Sequence, residues 1–517
     1  MLARIRSAAL LGIDAYPVEV EVDITSGLPS FTTVGLAQGA VKESRERVNA
    51  ALVNTGFEFP LRRITVNLAP ADRPKAGSAF DLPIALGILI ASGQVAPERL
   101  DGALVVGELG LEGDLRPVRG ALSVALAGRA LGCRGVLLPA ANIAEASVVD
   151  GVAVRGAHRL GDLCEYLAGR GDIPPARTDP AALLASRAAD AVDFADVRGQ
   201  AAAKRALEVG AAGGHNLLMV GAPGAGKTML ARRLPTILPG FTLDEALETT
   251  RIHSVAGLLP PGAALTSLRP FRAPHHTISD AGLIGGGSWP RPGEVSLSHG
   301  GVLFLDELPE FRRNVLEALR QPLEDGVVTL SRAATSITVP ARFTLVAAMN
   351  PCPCGYLGDP THACRCDPAA VERYRARVSG PLLDRIDIHL AIPALAPGEF
   401  AAPGAEEPSA AIRERVEAAR ARQAARFRAD PATHANAQMG AREVRRFCRL
   451  SAPAEALMRQ AVTRLGLSAR AYHRVLKVAR TIADLAGSTE LDPAHVSEAI
   501  QYRSLERRAA AAAHPQP

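Results

Sequence analysis

The segment Gly221-Ala-Pro-Gly-Ala-Gly-Lys-Thr228 has the residue types and spacing to cradle a chain of phosphates. Gly221, Gly224 and Gly226 let the backbone bend and turn its N–H groups inward, with Ala222, Pro223 and Ala225 completing the loop. Lys227 can reach the β and γ oxygens, and Thr228 can ligate Mg²⁺. A second acidic half is needed, and Gly301-Val-Leu-Phe-Leu-Asp-Glu307 supplies it. Its apolar run ends in Asp306, which can hold the Mg²⁺ shell, and Glu307, which can polarise an attacking water as a general base. Phe343-Thr-Leu-Val-Ala-Ala-Met-Asn350 ends in an amide that could orient that water. Arg385, in Leu382-Leu-Asp-Arg-Ile-Asp387, is either a salt-bridged surface arginine or an arginine finger for the transferred phosphoryl group. The chemistry these residues describe is Mg²⁺-dependent ATP hydrolysis.

Four cysteines stand apart from that set. Cys352 and Cys354, then Cys364 and Cys366, form two C-x-C pairs separated by nine residues. Four thiolates so spaced could surround one structural Zn²⁺, with His362 as a substitute ligand. Reduced, unliganded thiols are the alternative, and a redox role is a third.

Such a site must be held by a parallel sheet. Leu217-Leu-Met-Val220 predicts a buried strand running into the phosphate loop, and a helical stretch follows to Leu238. Strands and helices alternate from 193 to 395, which predicts helices on both faces of the sheet. Before it, residues 1–168 read as an α+β domain. Val18 to Val22 and Arg63 to Leu68 alternate at period two, and Phe80 to Ile90 is apolar enough for a buried helix. A Pro-, Ala- and Asp-rich segment at 169–192 and a Pro-, Gly-, Ala- and Glu-rich one at 396–409 read as linkers. Residues 410–508 are helical, with Ile412, Val416 and Ala419 on one face, and 509–517 is a low-complexity tail expected to be disordered.

Composition bounds the rest. Of 517 residues, 48% are apolar but only 4% aromatic, so aliphatic cores are expected. The formal charge of +5 permits nucleic-acid binding without requiring it. Only five of the 58 basic residues are lysines (Lys42, Lys75, Lys204, Lys227 and Lys477), so each lysine warrants inspection. No apolar run reaches the ~20 residues of a membrane span, and the seven cysteines form no secretory framework; a cytoplasmic protein is expected.

Asp196-Val-Arg-Gly-Gln200, the phosphate loop, Asp306-Glu307, Asn350 and Arg385 follow one another as in AAA+ ATPases. With Phe271-Arg-Ala-Pro-His-His-Thr-Ile278 and Met349-Asn-Pro-Cys-Pro-Cys-Gly355, the chain resembles the magnesium-chelatase-like AAA+ ATPases of the ComM/YifB family over nearly its whole length. The resemblance implies an AAA+ P-loop NTPase core with a C-terminal helical lid. It places Val197 and Gln200 near the adenine, gives Arg385 to a neighbouring subunit's ATP, and makes Arg470 the sensor arginine of the lid, with Arg474 as the other candidate. A homo-oligomeric, hexameric ring follows.

The resemblance also implies an ATP-dependent DNA helicase acting in branch migration during natural transformation and homologous recombination, on single-stranded or branched DNA. Trp289 and Arg291, and Arg332 in the hairpin Val327–Arg332 and Ile337–Pro340, are then candidate DNA contacts. The Arg-rich run from Arg413 to Arg428 is a further candidate, though such a run is more often a solvated helix face. The N-terminal domain resembles the Lon-protease C-terminal fold (ribosomal S5 domain 2-like), through Pro74-Lys-Ala-Gly-Ser-Ala-Phe-Asp81 and Gly113-Asp-Leu-Arg-Pro-Val-Arg-Gly120. Ala79 and Leu122 stand where a Ser-Lys protease dyad would, so proteolysis is not expected. A magnesium-chelatase motor subunit and a non-proteolytic protein remodeller are the alternatives.

Overall fold

The computed structural model describes residues 1–73, 75–185, 192–287, 291–332, 335–393, 406–430 and 433–503. Its N-terminal unit is built on one sheet. β1 (Leu2–Leu11) and β2 (Asp14–Thr25) form an antiparallel hairpin, and β3 (Ser30–Val34), β4 (Arg63–Ala69) and β5 (Ala103–Val105) follow. A short hairpin of β6 (Glu108–Leu109) and β7 (Leu115–Arg116) intervenes before β8 (Gly135–Pro139) and β9 (Ala153–Ala157). The sheet order is β3-β4-β2-β1-β5-β8-β9. β2 buries Val18, Val20 and Val22, the residues its period-two alternation assigns to one face. The helix Asp81–Ala91 is buried at every position, so apolarity all round, rather than an amphipathic stripe, marks it.

The second unit is a five-stranded parallel sheet. β10 (Leu217–Gly221), β11 (Phe271–Arg272), β14 (Val302–Leu305), β17 (Thr344–Met349) and β18 (Ile388–Ile392) lie in the order β11-β14-β17-β10-β18. Between them sit two hairpins, β12 (Gly285–Gly286) with β13 (Arg291–Pro292), and β15 (Val327–Arg332) with β16 (Thr335–Pro340). The short sheet strands read as apolar runs because both faces are covered; β17 is buried throughout. The lid comprises Ser409–Arg426, Ala441–Phe447, Ala452–Leu465, Ala469–Leu485 and Pro493–Gln501. Ile412, Val416 and Ala419 are buried in the core that the lid shares with the sheet.

Two expectations need correction. Part of the segment expected to be a linker at 169–192 is fixed to the N-terminal unit. Ala176 donates to Val154 O at 2.8 Å, Thr178 meets Ser147 at 2.6 Å, and the helix Pro180–Ala185 sets Leu183 and Leu184 against an apolar cluster. Its Pro and Ala content ends regular strands without preventing these contacts, and Leu183 and Leu184 are half-buried. The Arg-rich run is not a free cationic face either. Arg415 pairs with Glu208 and Glu407, and Arg426 with Asp484. Arg420 donates to Ala211 O, and Arg422 to Asp484 O. These arginines bind helix-end carbonyls and the carboxylates of Glu208, Glu407 and Asp484, of which Glu208 and Asp484 are buried.

The N-terminal unit docks on the helix Leu243–Ala256. Ser254 donates to the buried Glu145 carboxylate and accepts from Gly120 N–H at 3.1 Å, while Arg251 pairs with Asp14. Burial raises the Glu145 pKa, against hydrogen bonds from Ser254, Asn142 and Leu122.

Candidate active site

The phosphate loop joins β10 to the helix Lys227–Ile237. Gly224 (φ 78°) and Gly226 (φ 89°) take left-handed backbone conformations that a side chain would strain. Lys227 donates to Gly221 O at 2.6 Å, Ala222 O at 2.9 Å and Asn350 Oδ1 at 3.2 Å. Burial lowers its pKa, and the charges of Asp306 and Glu307 oppose that shift. Thr228 donates to Asp306 Oδ2 at 2.7 Å. This oxygen pair, at the mouth of a phosphate-binding loop, fits one Mg²⁺ shell. Asp306 follows β14, Asn350 follows β17 and the loop follows β10, so the parallel sheet brings all three to its carboxyl edge. Glu307 has φ 52°, turning its side chain away from the strand's course.

The 193–200 segment reaches the same edge. Gln200 Nε2 donates to Pro393 O at 2.9 Å, just beyond β18, whose Ile392 pairs with Gly221. Arg233 of the loop's helix ties the segment down through Asp196 at 2.9 Å and Asp193 O at 2.6 Å. Val197 is buried in the core that includes Ala225.

Arg385 and Arg470 are elsewhere. A cleft of about 1470 Å³ is lined by Asn216, Gly301, Thr344 and Asp387, which stand at or just before the starts of β10, β14, β17 and β18. It therefore opens at the amino edge of the sheet, across from the phosphate loop. Arg385, Arg470, Arg474 and Lys477 all line it. Arg385 is 8% exposed, pairs with Glu324 and donates to Pro381 O at 2.6 Å; its buried Nε has no partner among the described residues. Arg474 bonds Asp387 Oδ1 at 2.8 Å, and His215 bridges Asp387 Oδ2 at 3.0 Å to Thr481 at 2.8 Å. This chain fastens the helix Ala469–Leu485 to the sheet edge. Arg470, one turn before Arg474, is exposed at the rim.

The remaining candidates divide. Arg291 is exposed in the small hairpin, opposite Gly286. Trp289 lies outside the described residues. Arg332 closes the larger hairpin opposite Thr335. That hairpin buries Val328, Leu330, Ile337 and Val339 in a cluster with Ile13 and Leu283, and exposes Thr329, Ser331, Ser336 and Thr338. Two neighbours were not singled out from sequence. His276 Nδ1 stands 3.4 Å from Glu307 Oε2, its ring against His275 and edge-on to Phe311. Glu324 holds Arg385. The signal for His276 was present in Phe271 to Ile278, whereas nothing local marks Glu324.

The four cysteines converge. Their sulfurs lie within 4.8 Å of one another, with Cys352–Cys354 at 3.4 Å, Cys354–Cys364 at 3.6 Å and Cys352–Cys364 at 3.7 Å. Four thiolates about 2.3 Å from a tetrahedral Zn²⁺ would be about 3.8 Å apart, so the donors fit. Backbone amides of Tyr356 and Arg365 pull the Cys354 pKa down to about 6. His362 instead contacts Asp359 and Thr361.

In the N-terminal unit Ser78 bonds Glu108, Leu122 is fully buried, and Lys75 is buried with its ammonium on Pro70 O. None of the described helices is long and apolar enough to cross a membrane.

Comparison with known proteins matches residues 193–400 to the family described as magnesium chelatase, subunit ChlI. Residues 20–142 match subunit ChlI of Mg-chelatase, and 406–503 its C-terminal region. The chain is 45% identical to protein YifB of Escherichia coli over 511 residues, 98% of each chain. It is 46% identical to the competence protein ComM of Haemophilus influenzae over 513 residues, again 98% of each. It is also 46% identical to Rv2897c of Mycobacterium tuberculosis over 512 residues, 98% of this chain and 99% of the other. The mixed α/β core, its parallel sheet and the helical C-terminal region agree with these matches, and this chain belongs to the magnesium-chelatase-like AAA+ ATPases of the ComM/YifB type.

Proposed function

We propose that the chain is the subunit of a hexameric ring ATPase that moves DNA, acting as a helicase in branch migration during recombination of incoming DNA. The observation that carries the ring is the distance between the two halves of the chemistry. Lys227, Thr228, Asp306, Glu307 and Asn350 share the carboxyl edge of the sheet, while Arg385 and Arg470 line a cleft at its amino edge. β18 alone spans roughly 16 Å at ~3.3 Å per residue. A neighbouring copy supplies the arginines, and the phosphate loop of one chain faces the cleft of the next.

Within one site, Lys227 and the loop amides bind the β and γ phosphates. Thr228 and Asp306 would hold Mg²⁺, which would supply neutralisation of the charge on those oxygens. Glu307 takes the proton of the attacking water, His276 and Asn350 fix its approach, and the neighbour's Arg385 stabilises the transferred group.

The DNA reading draws on full-length likeness to a protein named for competence, on Arg291 and Arg332 in the two hairpins, and on Trp289, two residues before Arg291 in sequence. Cys352, Cys354, Cys364 and Cys366 would hold one Zn²⁺, which would brace the loop between Asn350 and the helix Pro368–Arg375. A chelatase motor is the competing reading, because the matching family carries that description. It gains no support from Glu294-Val-Ser-Leu-Ser298, the segment here nearest to the Asp-x-Ser-x-Ser metal site that a chelatase carries, which has Glu in place of Asp. Glu294 is engaged by Arg272 at 2.6 Å, and Ser296 and Ser298 are buried.

ATP turnover measured with and without single-stranded and branched DNA tests the proposal, beside a Lys227→Ala control that should be inactive. Stimulation by DNA is expected. Unchanged turnover together with no DNA binding in the presence of ATP would sink the DNA reading. For zinc, elemental analysis should give one equivalent per chain, and less than about half would refute it.

A further inference from the structure

The cysteine cluster touches the nucleotide site. Cys352 lies two residues beyond Asn350, whose side chain accepts from Lys227. The Cys352–Gly355 turn closes through Gly355 N–H on Cys352 O at 3.0 Å. Gly355 has φ 87°, and a Cβ built there would stand 2.6 Å from Pro223 Cδ and 2.8 Å from Pro223 Cγ. Pro223 is the third residue of the phosphate loop. The turn carrying two thiols is therefore stacked against the loop that must present its amides to phosphate, and only glycine permits that approach.

Within the turn, Gly355 offers no side chain, Cys354 N–H donates to Cys366 Sγ at 3.4 Å, and the Cys354 sulfur accepts from the Tyr356 and Arg365 amides, so the contacts that hold the turn converge on the thiols themselves. From the other side, the segment is tied by Arg375 on Pro351 O at 3.3 Å. Nine residues separate Cys354 from Cys364, and they form no helix or strand. Closing that loop costs chain entropy, which four metal–thiolate bonds would offset.

We propose that the metal clip of Cys352, Cys354, Cys364 and Cys366 sets nucleotide affinity by pressing Gly355 against Pro223, so that a chain without the metal binds ATP weakly. This rests on the zinc reading above and adds a role to it: the clip governs the phosphate loop as well as bracing its own segment.

The test uses the full-length protein in three states: as purified, stripped with a thiol-directed mercurial and a chelator, and reloaded with Zn²⁺. Zinc is counted by elemental analysis and affinity is read with a fluorescent ATP analogue. Stripping should raise Kd about tenfold or more, with reloading restoring it. Hydrogen exchange should quicken in both 352–366 and 221–228. Cys364→Ser should reproduce the stripped state without mercurial. Gly355→Ala keeps every thiol, so it should retain full zinc and still weaken nucleotide binding, because the added methyl pushes Pro223 away. Zinc-free protein that binds the analogue as tightly as loaded protein overturns the coupling and leaves the zinc site standing. So does Gly355→Ala with unchanged Kd. Protein that never takes up zinc overturns the site and the coupling together.

Discussion

Arg385→Ala chains should be inactive alone and should regain turnover when mixed with equally inactive Lys227→Ala chains. Arg385 precedes β18 by three residues, and the phosphate loop lies past the other end of the neighbouring β10. Crossing the sheet takes roughly 16 Å, against a side-chain reach of about 7 Å, so Arg385 cannot serve the nucleotide of its own chain. Loss of an arginine finger costs on the order of 10³ in turnover, and so each variant by itself should be silent. In rings assembled at random from equal amounts, an interface works when the loop donor carries Lys227 and the arginine donor carries Arg385. That holds for about one interface in four, so about a quarter of native turnover should return if sites fire independently. The assay is steady-state ATP hydrolysis by each variant and by their mixture, with differently tagged copies showing that mixed rings form. Glu324→Gln is the control: it breaks the same ion pair but keeps the guanidinium, and should remain active. Mixed rings no more active than their parents would refute action between subunits.

Three further outcomes follow from named contacts. Glu307→Gln should bind ATP but hydrolyse it about 10²–10³-fold more slowly, since the amide cannot take the water's proton; native-like hydrolysis in single-turnover assays would remove Glu307 from that role. Burial pushes the Asp387 pKa up, but the His215 hydrogen bond and the charges of His215, Arg474 and Lys477 outweigh it and leave the carboxyl below its usual range. Its stabilisation is therefore complete above the unfolded value of about 4 and is lost as pH falls below that. Asp387→Asn should cost about 3 kcal/mol at neutral pH and flatten the acid limb of the unfolding curve; a variant with the native acid profile would contradict this. At the domain contact, Glu145→Ala should lower stability by about 1–3 kcal/mol by stranding Ser254 and Asn142. Glu145→Gln should be far milder, because a carboxyl whose folded pKa is raised loses stability as pH rises through the unfolded value, and the neutral amide lacks that cost. Chemical denaturation of both variants compares them directly.

Much of the chemistry was local in sequence and so could be read there. The phosphate loop needs glycines, a lysine and a hydroxyl within eight residues, because one turn of chain must wrap one anion. Asp306, Glu307 and Asn350 were legible for a related reason: each ends an apolar run, and parallel strands deliver their ends to one edge. The four cysteines announced a cluster by their own spacing. The Arg-rich helix misled because charge in a string does not say which carboxylate or carbonyl lies opposite. Glu208 and Asp484 answer that from about 200 and 60 residues away.

The sequence by itself singled out the inner half of the candidate site: Lys227 and Thr228 in the phosphate loop, and Asp306, Glu307 and Asn350 at the ends of apolar runs. Tertiary structure decided where the other half stands. The separation of Arg385 from Lys227 depends on the sheet order β14-β17-β10-β18 and on the lid helix fastened by His215, Asp387 and Thr481. The approach of Gly355 to Pro223, and of His276 to Glu307, depends on the same packing. Those contacts join segments that are 31 to 266 residues apart, and no local pattern encodes a distance set by which strand lies beside which.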